Sequence, residues 1–293
     1  MTSDPSLFQR TGRQDMGVLF GRRCRVQVET LGLDGFDMRF EITKSLSAKT
    51  PNAAELQIYN LNTDHRQSLQ ELEKVYLSIE AGYESGMSLL FRGDLRDVVS
   101  ARRGPDWITT ITSDSGRRAR KKRLVKSFAP GATVSQVLQT AAQAMGVRLG
   151  NTAARTVSAK IAGTQATKFF NGYAIAGAID EELDRLARSC NLEWSIQDDE
   201  LQFLDFGEPL AQLAVLLTSD TGLLGSPEPG NKGIVEARCL IIPDLYPGRR
   251  VQMQSEHVRG MYRVETTKHV GSTFGDEWYI DLQLKDEKRK AST

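Results

Sequence analysis

Little in this sequence is chemically reactive. Its three cysteines, Cys24, Cys190 and Cys239, lie far apart, are odd in number and form no C-x-x-C pair. That argues against a disulfide framework and for reduced, buried thiols in a chain made in a reducing compartment. Its three histidines, His65, His257 and His269, fall in a predicted helix, a turn and a strand, and no cysteine or histidine sits at ligand spacing from another. A zinc site needs three or four convergent ligands, so no metal is expected. The chain has no G-x-S-x-G elbow, no Walker loop and no H-E-x-x-H pair. Asp198, Asp199 and Glu200 invite a glycosidase reading, but consecutive residues in a tight turn point apart, whereas a general acid and base must flank one bond. Neither an enzyme nor a cofactor is expected.

Other classes are excluded by what the composition is short of. No apolar run approaches the roughly 18 residues of a membrane helix, so no membrane insertion is expected. The N-terminal MTSDPSLFQRTGRQDMG has no positively charged start followed by an apolar stretch, so no secretory signal is expected. The 38 basic and 37 acidic residues of the 293 leave a net charge of +1, which favours neither a dedicated nucleic-acid binder nor a membrane-surface protein. Hydrophobic content of 40% and charged content of 26% are ordinary for a globular chain of about two domains.

What is present is β-structure. Val75–Ser115 reads as a three-strand meander. Val75, Leu77 and Ile79 alternate with polar residues, Leu89, Leu90, Phe91 and Leu95 bunch around Gly93, and Trp107–Ser113 is almost wholly β-branched or aromatic. Breaks fall at Tyr83–Gly86 and Arg103–Asp106, where Gly104-Pro105 cannot continue a ladder. Upstream, Arg23–Thr30 and Met38–Thr43 alternate as a hairpin with one wet and one buried face. Glu55–Leu61 forms the next strand, and Asn62 or Thr63 caps a short helix over Asp64–Leu72. The three predicted-strand tryptophans, Trp107, Trp194 and Trp278, are assigned to the core.

Arg117–Lys126, RRARKKRLVK, holds seven basic residues in ten. Clustered cations release counterions on meeting a nucleic-acid backbone, but no aromatic platform is interleaved, and a solvated strand and linker is the plainer reading. After the Pro130-Gly131 break, Thr133 and Gln136 match a capping box, with Val134, Val137, Leu138, Ala141 and Met145 on one face and Gly146 as the stop. Val147–Gly163 reads as strand and loop. Ile175–Cys190 reads as a second helix, and Leu192–Gln197 and Leu201–Phe206 form a hairpin across Asp198-Asp199-Glu200. Gly207–Gly233 is a Gly- and Pro-dense connection expected to dock on something. Four strands follow, Ile234–Ile242, Arg249–Gln254, Met261–Val270 and Glu277–Lys285. The fold class is therefore mainly β (α+β), with two barrel-like β domains and a small α/β insert. The divisions are an N-terminal arm (1–21), a first β-barrel domain (22–127), the insert (128–206) and a second β-barrel domain with a charged tail (207–293).

The order of these elements resembles the baseplate hub proteins of contractile-tailed bacteriophages. The matching residues are Gly82, Tyr83 and Gly86; Phe91, Gly93 and Asp94; Trp107 to Gly116; then Pro130, Gly131 and Val134 to Leu138. Ala54–Leu61 (AELQIYNL), Pro247-Gly248 before Val251, and Gly260–Val264 also fit, so the likeness runs from Arg22 to Lys285. It implies a structural virion protein assembled in the host cytoplasm into a tail baseplate. There a homotrimeric hub with tube-like barrels would adapt a sixfold tail tube to a threefold central spike. Implied partners are the tail tube protein, the spike, baseplate wedge proteins, and the tape measure protein and passing DNA in the lumen. Arg117, Arg118, Arg120, Lys121, Lys122 and Arg123 are the candidate charged contact, and the loop Gly222–Gly233 is a second candidate. Rival readings are a nucleic-acid-binding β-barrel using residues 117–126, the hub of a tailocin or other contractile injection system, and the tip of a non-contractile tail.

Overall fold

A computed structural model describes residues 20–72, 75–150, 168–169, 172–189, 191–230 and 233–287. Most of the expected arm, the loop beyond residue 150, Cys190 and the end of the charged tail lie outside the described residues.

The first β segment comprises β1 (Arg22–Val28), β2 (Leu31–Asp34), β3 (Met38–Ser45) and β4 (Ala53–Tyr59). Helix α1 (Thr63–Glu71), β5 (Tyr76–Tyr83), β6 (Gly86–Arg103) and β7 (Asp106–Asp114) complete it. Asn62 caps α1, its side chain accepting from the His65 N–H at 2.7 Å. The meander is present, but β6 runs 18 residues rather than ending at Arg96. The bunched leucines obscured it because the ladders with β5 and β7 both shift register along this strand. The expected hairpin of the first two strands is corrected. β1 pairs with β2 and β5, whereas β3 pairs with β4 and with Thr266–Ser272 near the end of the chain. Glu29 at φ 52 turns the chain sharply enough for residues 31–34 to return as a strand of their own.

The middle of the chain contains α2 (Arg117–Arg120), β8 (Arg123–Phe128), β9 (Ala132–Thr133), α3 (Val134–Met145), β10 (Arg148–Leu149) and β11 (Lys168–Phe169). Then come β12 (Tyr173–Ala178), α4 (Ile179–Ser189), β13 (Leu192–Gln197) and β14 (Glu200–Asp205). The Thr133–Gln136 capping box forms as expected, and Gly146 ends α3 in the left-handed region at φ 75. The second helix starts four residues later than its periodicity suggested. Tyr173–Ala178 is extended because it pairs with β8, Tyr173 opposite Phe128 through Ala178 opposite Arg123. Asp198 and Asp199, both at positive φ, make the two-residue turn between β13 and β14.

The last segment contains β15 (Val215–Leu217), a 3-10 turn at Ser219–Thr221, β16 (Leu223–Pro229) and β17 (Ile234–Leu240). It ends with β18 (Arg250–Gln254), β19 (Arg259–Ser272) and β20 (Trp278–Asp286). Part of the expected connecting loop is thus β15 and β16, the latter carrying Pro227 and Pro229 on an edge.

Among the described residues two large hydrophobic cores result, with a small third cluster of Leu46, Leu204 and Leu210. In one, inward residues of both β segments meet: Val26, Phe40, Leu56, Ile79, Phe91 and Ile111 join Val251, Val264, Trp278 and Ile280. The β3–β19 ladder unites the segments in one sheet, ordered β16-β17-β20-β19-β3-β4-β7-β6-β5-β1-β2, with β18 and β15 branching from β19. Among the described residues this path closes no ring, and β2 and β16 end it. The second core lies in the middle of the chain, taking in Ala119 of α2 as well as the expected insert, and packs Val137, Leu138 and Ala141 of α3, Leu183 and Leu186 of α4, and Trp194, Ile196 and Phe203 of the hairpin.

Trp194 and Trp278 are buried as expected, but Trp107 is 37% exposed. Its ring lies under the Arg66 guanidinium, 4.2 Å away. It sits beside the β6–β7 turn, beyond the reach of the core.

Candidate functional site

The basic run divides into an inward and an outward half. Gly116 leaves β7 in the left-handed region at φ 72, and a Cβ there would meet Ile196 Cδ1 at 2.8 Å. This turn starts α2, which points its arginines back at the body. Arg118 Nε donates to Asp94 Oδ1 at 2.5 Å, and its guanidinium lies 5.1 Å from the Tyr76 ring. Arg117 sits 3.7 Å from Asp114. Burial pushes the Asp114 carboxyl above its ordinary range, and Arg117 and Arg96 only partly pull it back. Arg120 is 5.8 Å from the Trp194 ring, and burial lowers its pKa against the pull of Asp180 and Asp184. Lys121, Lys122 and Arg123 are exposed and, with Lys126, make no ion pair among the described residues. The six predicted contact residues are therefore not one patch. Three hold the insert against the sheet and three face outward.

The inward half belongs to a polar seam that the sequence did not reveal. The Asp198-Asp199 turn of the insert reaches into the sheet, where the Lys44 ammonium donates to Asp198 Oδ2 at 2.7 Å and the Arg92 N–H to Oδ1 at 3.0 Å. Asp199 Oδ2 lies 3.2 Å from Arg92 Nε. Burial nevertheless pushes Asp199 up to about 6, with Asp94 and Asp198 adding to the rise. Asn52 completes the seam. Its amide donates to Ile196 O and Gln197 Oε1, and its Oδ1 accepts from the Ser45 N–H. On the far side of β13, buried Arg263 pairs with Glu193 and Glu265. Burial raises Glu193 above the usual carboxylate range. Two carboxylates in a turn are a weak sequence signal for such docking. Their separation from the cations, 154 residues for Asp198 and Lys44, hides it further.

The second candidate, the loop Gly222–Gly233, is mostly the edge strand β16, with residues 231–232 outside the described residues. Its irregular ladder with β17 shifts between Leu224 and Glu228. A cleft of about 830 Å³ separates Gly225 and Ser226 of β16 from Gln252–Gln254 of β18.

Among the described residues no three histidines, cysteines or acids converge as metal ligands. His269 is buried with its pKa pushed down to about 3 by desolvation and by nearby Lys44. Burial pushes the Cys24 thiol up to about 12 and that of Cys239 still further. No described helix is long and apolar enough to cross a membrane.

Comparison with known proteins agrees with this geometry. The model of a family described as Baseplate hub gp41 matches residues 25–265, and no curated protein matches. Among solved structures, the 43 kDa tail protein of prophage MuSo2 from Shewanella oneidensis superposes with a TM-score of 0.64 at 10% identity, covering 92% of this chain and 98% of that one. The tail protein of Neisseria meningitidis MC58 gives 0.59 at 10% identity, with 91% and 97% covered. An Escherichia coli component of the type VI secretion system, described as structurally similar to the T4 tail proteins gp27 and gp5, gives 0.56 at 10% identity, with 89% and 76% covered. At such identities the likeness is one of fold.

Proposed function

The chain belongs to the Baseplate hub gp41 family, and from that membership we propose that three copies form the trimeric hub of a contractile phage tail. The hub would adapt the sixfold tail tube to the threefold central spike. The observation that supports this reading is that two β segments of one subunit, from opposite ends of the chain, share a single sheet. Residues 22–114 and 215–286 each supply a set of mostly antiparallel strands, and among the described residues the main path of the shared sheet ends in two open edges, β2 and β16. We read each segment as one tube-like barrel unit. Three chains then set six such units around a threefold axis, which matches a sixfold ring on one face and a trimer on the other. Unpaired edges suit this role, because an exposed ladder that is an aggregation hazard in a monomer becomes a joint in a closed ring. The tube protein and the spike occupy the two faces, wedge proteins the outside, and the tape measure protein and passing DNA the lumen. The hub works by geometry and carries out no catalysis.

Mass photometry with negative-stain averaging, on the protein alone and mixed with the spike protein, tests this. A trimer showing a pseudo-sixfold ring is expected. A strict monomer, both alone and in the presence of the spike protein, would overturn it.

A further inference from the structure

We propose that the outer edge of β8 is a docking edge for an acidic extended segment of another protein, which adds to the β8–β12 ribbon as a third strand beside Lys121, Lys122, Arg123 and Lys126. This site is separate from the subunit joints of the proposed hub and does not depend on them.

Three observations converge on it. First, β8 is hydrogen-bonded to β12 alone, so its other side carries an unused ladder among the described residues. Second, the outward face of the ribbon carries Val125 and small side chains beside Arg123, with Arg123, Val125 and Ser127 opposite Ala178, Ala176 and Ala174. Val125 is 86% exposed and stands opposite Ala176, while Ala174 beside it is exposed too. The opposite face anchors the ribbon, with Leu124, Phe128 and Tyr173 packed on the insert core and the Tyr173 hydroxyl 2.8 Å from Glu182. Third, the neighbouring charge is not taken up in ion pairs, though Lys121 feels an acid, Asp114, through a longer-range Coulombic pull. Arg117 and Arg118 are matched by Asp114 and Asp94, whereas the exposed Lys121, Lys122, Arg123 and Lys126 have no acid in ion-pair range among the described residues.

Together these select the occupant. Backbone bonding along an open edge supplies affinity, and alternate side chains supply specificity. Arg123, Val125 and Ser127 share one face and Lys126 the other. A fitting strand therefore places an acid near Arg123, an apolar residue over Val125, and an acid on the opposite face near Lys126. Like charge rejects the same edge of a second copy. A nucleic acid is disfavoured because the ribbon offers a backbone ladder and small side chains, not an aromatic face on which bases stack. A cleft of about 590 Å³ running from Ser127 and Phe128 to Gln136, Gln139 and Gln143 of α3 gives the segment room to continue past the end of β8.

The test uses the full chain and fluorescent, end-capped peptides of the same length as β8, alternating Glu with Val and Thr, in fluorescence anisotropy at moderate salt. A Lys-for-Glu peptide, an acidic peptide N-methylated at alternate residues, and a single-stranded oligonucleotide serve as comparators. The acidic peptide is expected to bind at least about tenfold tighter than the basic one and to protect amides of residues 123–128 from hydrogen exchange. N-methylation should abolish the protection. The variant K121E/K122E/R123E/K126E, shown by circular dichroism to keep its fold, should invert the preference. Equal binding of both peptides, indifference to N-methylation, or displacement by the oligonucleotide would each overturn the proposal, the last in favour of a nucleic-acid contact.

Discussion

The carboxylate of Asp198 accepts a hydrogen bond from the Lys44 ammonium at 2.7 Å, joining a turn of the insert to the inward face of the sheet. Lys44 follows Met38, Phe40 and Ile42 on that face and is buried as they are. Its charge is tolerable there only because the insert delivers a partner.

Asp198→Asn removes the charge while keeping a residue at home in the left-handed turn. It is expected to cost about 2–3 kcal/mol, the scale of a hydrogen bond to a charged group. Adding Lys44→Met should recover most of that loss, because no buried ammonium then remains. Urea unfolding of the two single variants and the double variant measures the coupling, and strictly additive effects would refute the role given to the pair.

Asp199 should behave in the opposite sense. Burial raises it to about 6 in the folded chain, with Asp94 and Asp198 adding to the rise, whereas an unfolded Asp titrates near 3.9. The folded state therefore binds more protons between about pH 4 and 6, and stability is lost as pH rises through that window. Asp199→Asn is expected to be more stable than the parent by about 1–3 kcal/mol at pH 7, with the advantage gone at pH 4. Denaturation midpoints across this range decide it, and a pH-independent difference would be the contrary result.

His269 titrates the other way. Held neutral by burial and by Lys44, it is pushed down to about 3, so the unfolded chain binds the extra proton below its ordinary value near 6.5. Stability conferred by neutral His269 is complete above pH 6.5 and falls by about 1.4 kcal/mol per unit as pH drops towards 3. His269→Gln should remove that slope whatever its effect at neutral pH, and an unchanged acid limb would contradict the assignment.

Gly271 marks a close approach across the β3–β19 joint. A Cβ there would stand 2.2 Å from Phe40 Cζ, and Phe40 cannot swing aside because its ring packs edge-to-face on Trp278 at 5.7 Å. Gly271→Ala is expected to cost about 1–3 kcal/mol by overpacking, and Phe40→Leu in the same chain should restore part of it. A thermal melt showing the single variant unchanged would refute this contact as a constraint.

Much of this molecule was legible in the linear pattern. Alternation located β5, β7 and the last four strands. Thr133 with Gln136 and Gly146 bounded α3, Asn62 or Thr63 marked the start of α1, and Asp198-Asp199 marked a turn. The ordered run from Gly82 to Leu138 pointed to the hub family. All of these are short-range facts, because period, caps and turns are set by neighbours within a few residues.

The tertiary structure decided which strands meet and which charges remain free. Nothing near Arg22–Val28 says that its partner is β5 rather than β3, because every inward strand face is apolar in the same way and only packing ranks the pairings. The run at 117–126 shows seven cations, but whether an arginine is consumed depends on Asp94 and Asp114, which the β6–β7 meander brings to it from earlier in the chain. The two turn carboxylates became a docking bond once the β3–β19 ladder had buried Lys44 where Asp198 could reach it. Local pattern was enough for most of the helices, turns and strands and for the family. Long-range packing alone determined the single shared sheet, the seam that fixes the insert and the division of the basic run, because Coulombic and hydrogen-bond partners are chosen by distance in space.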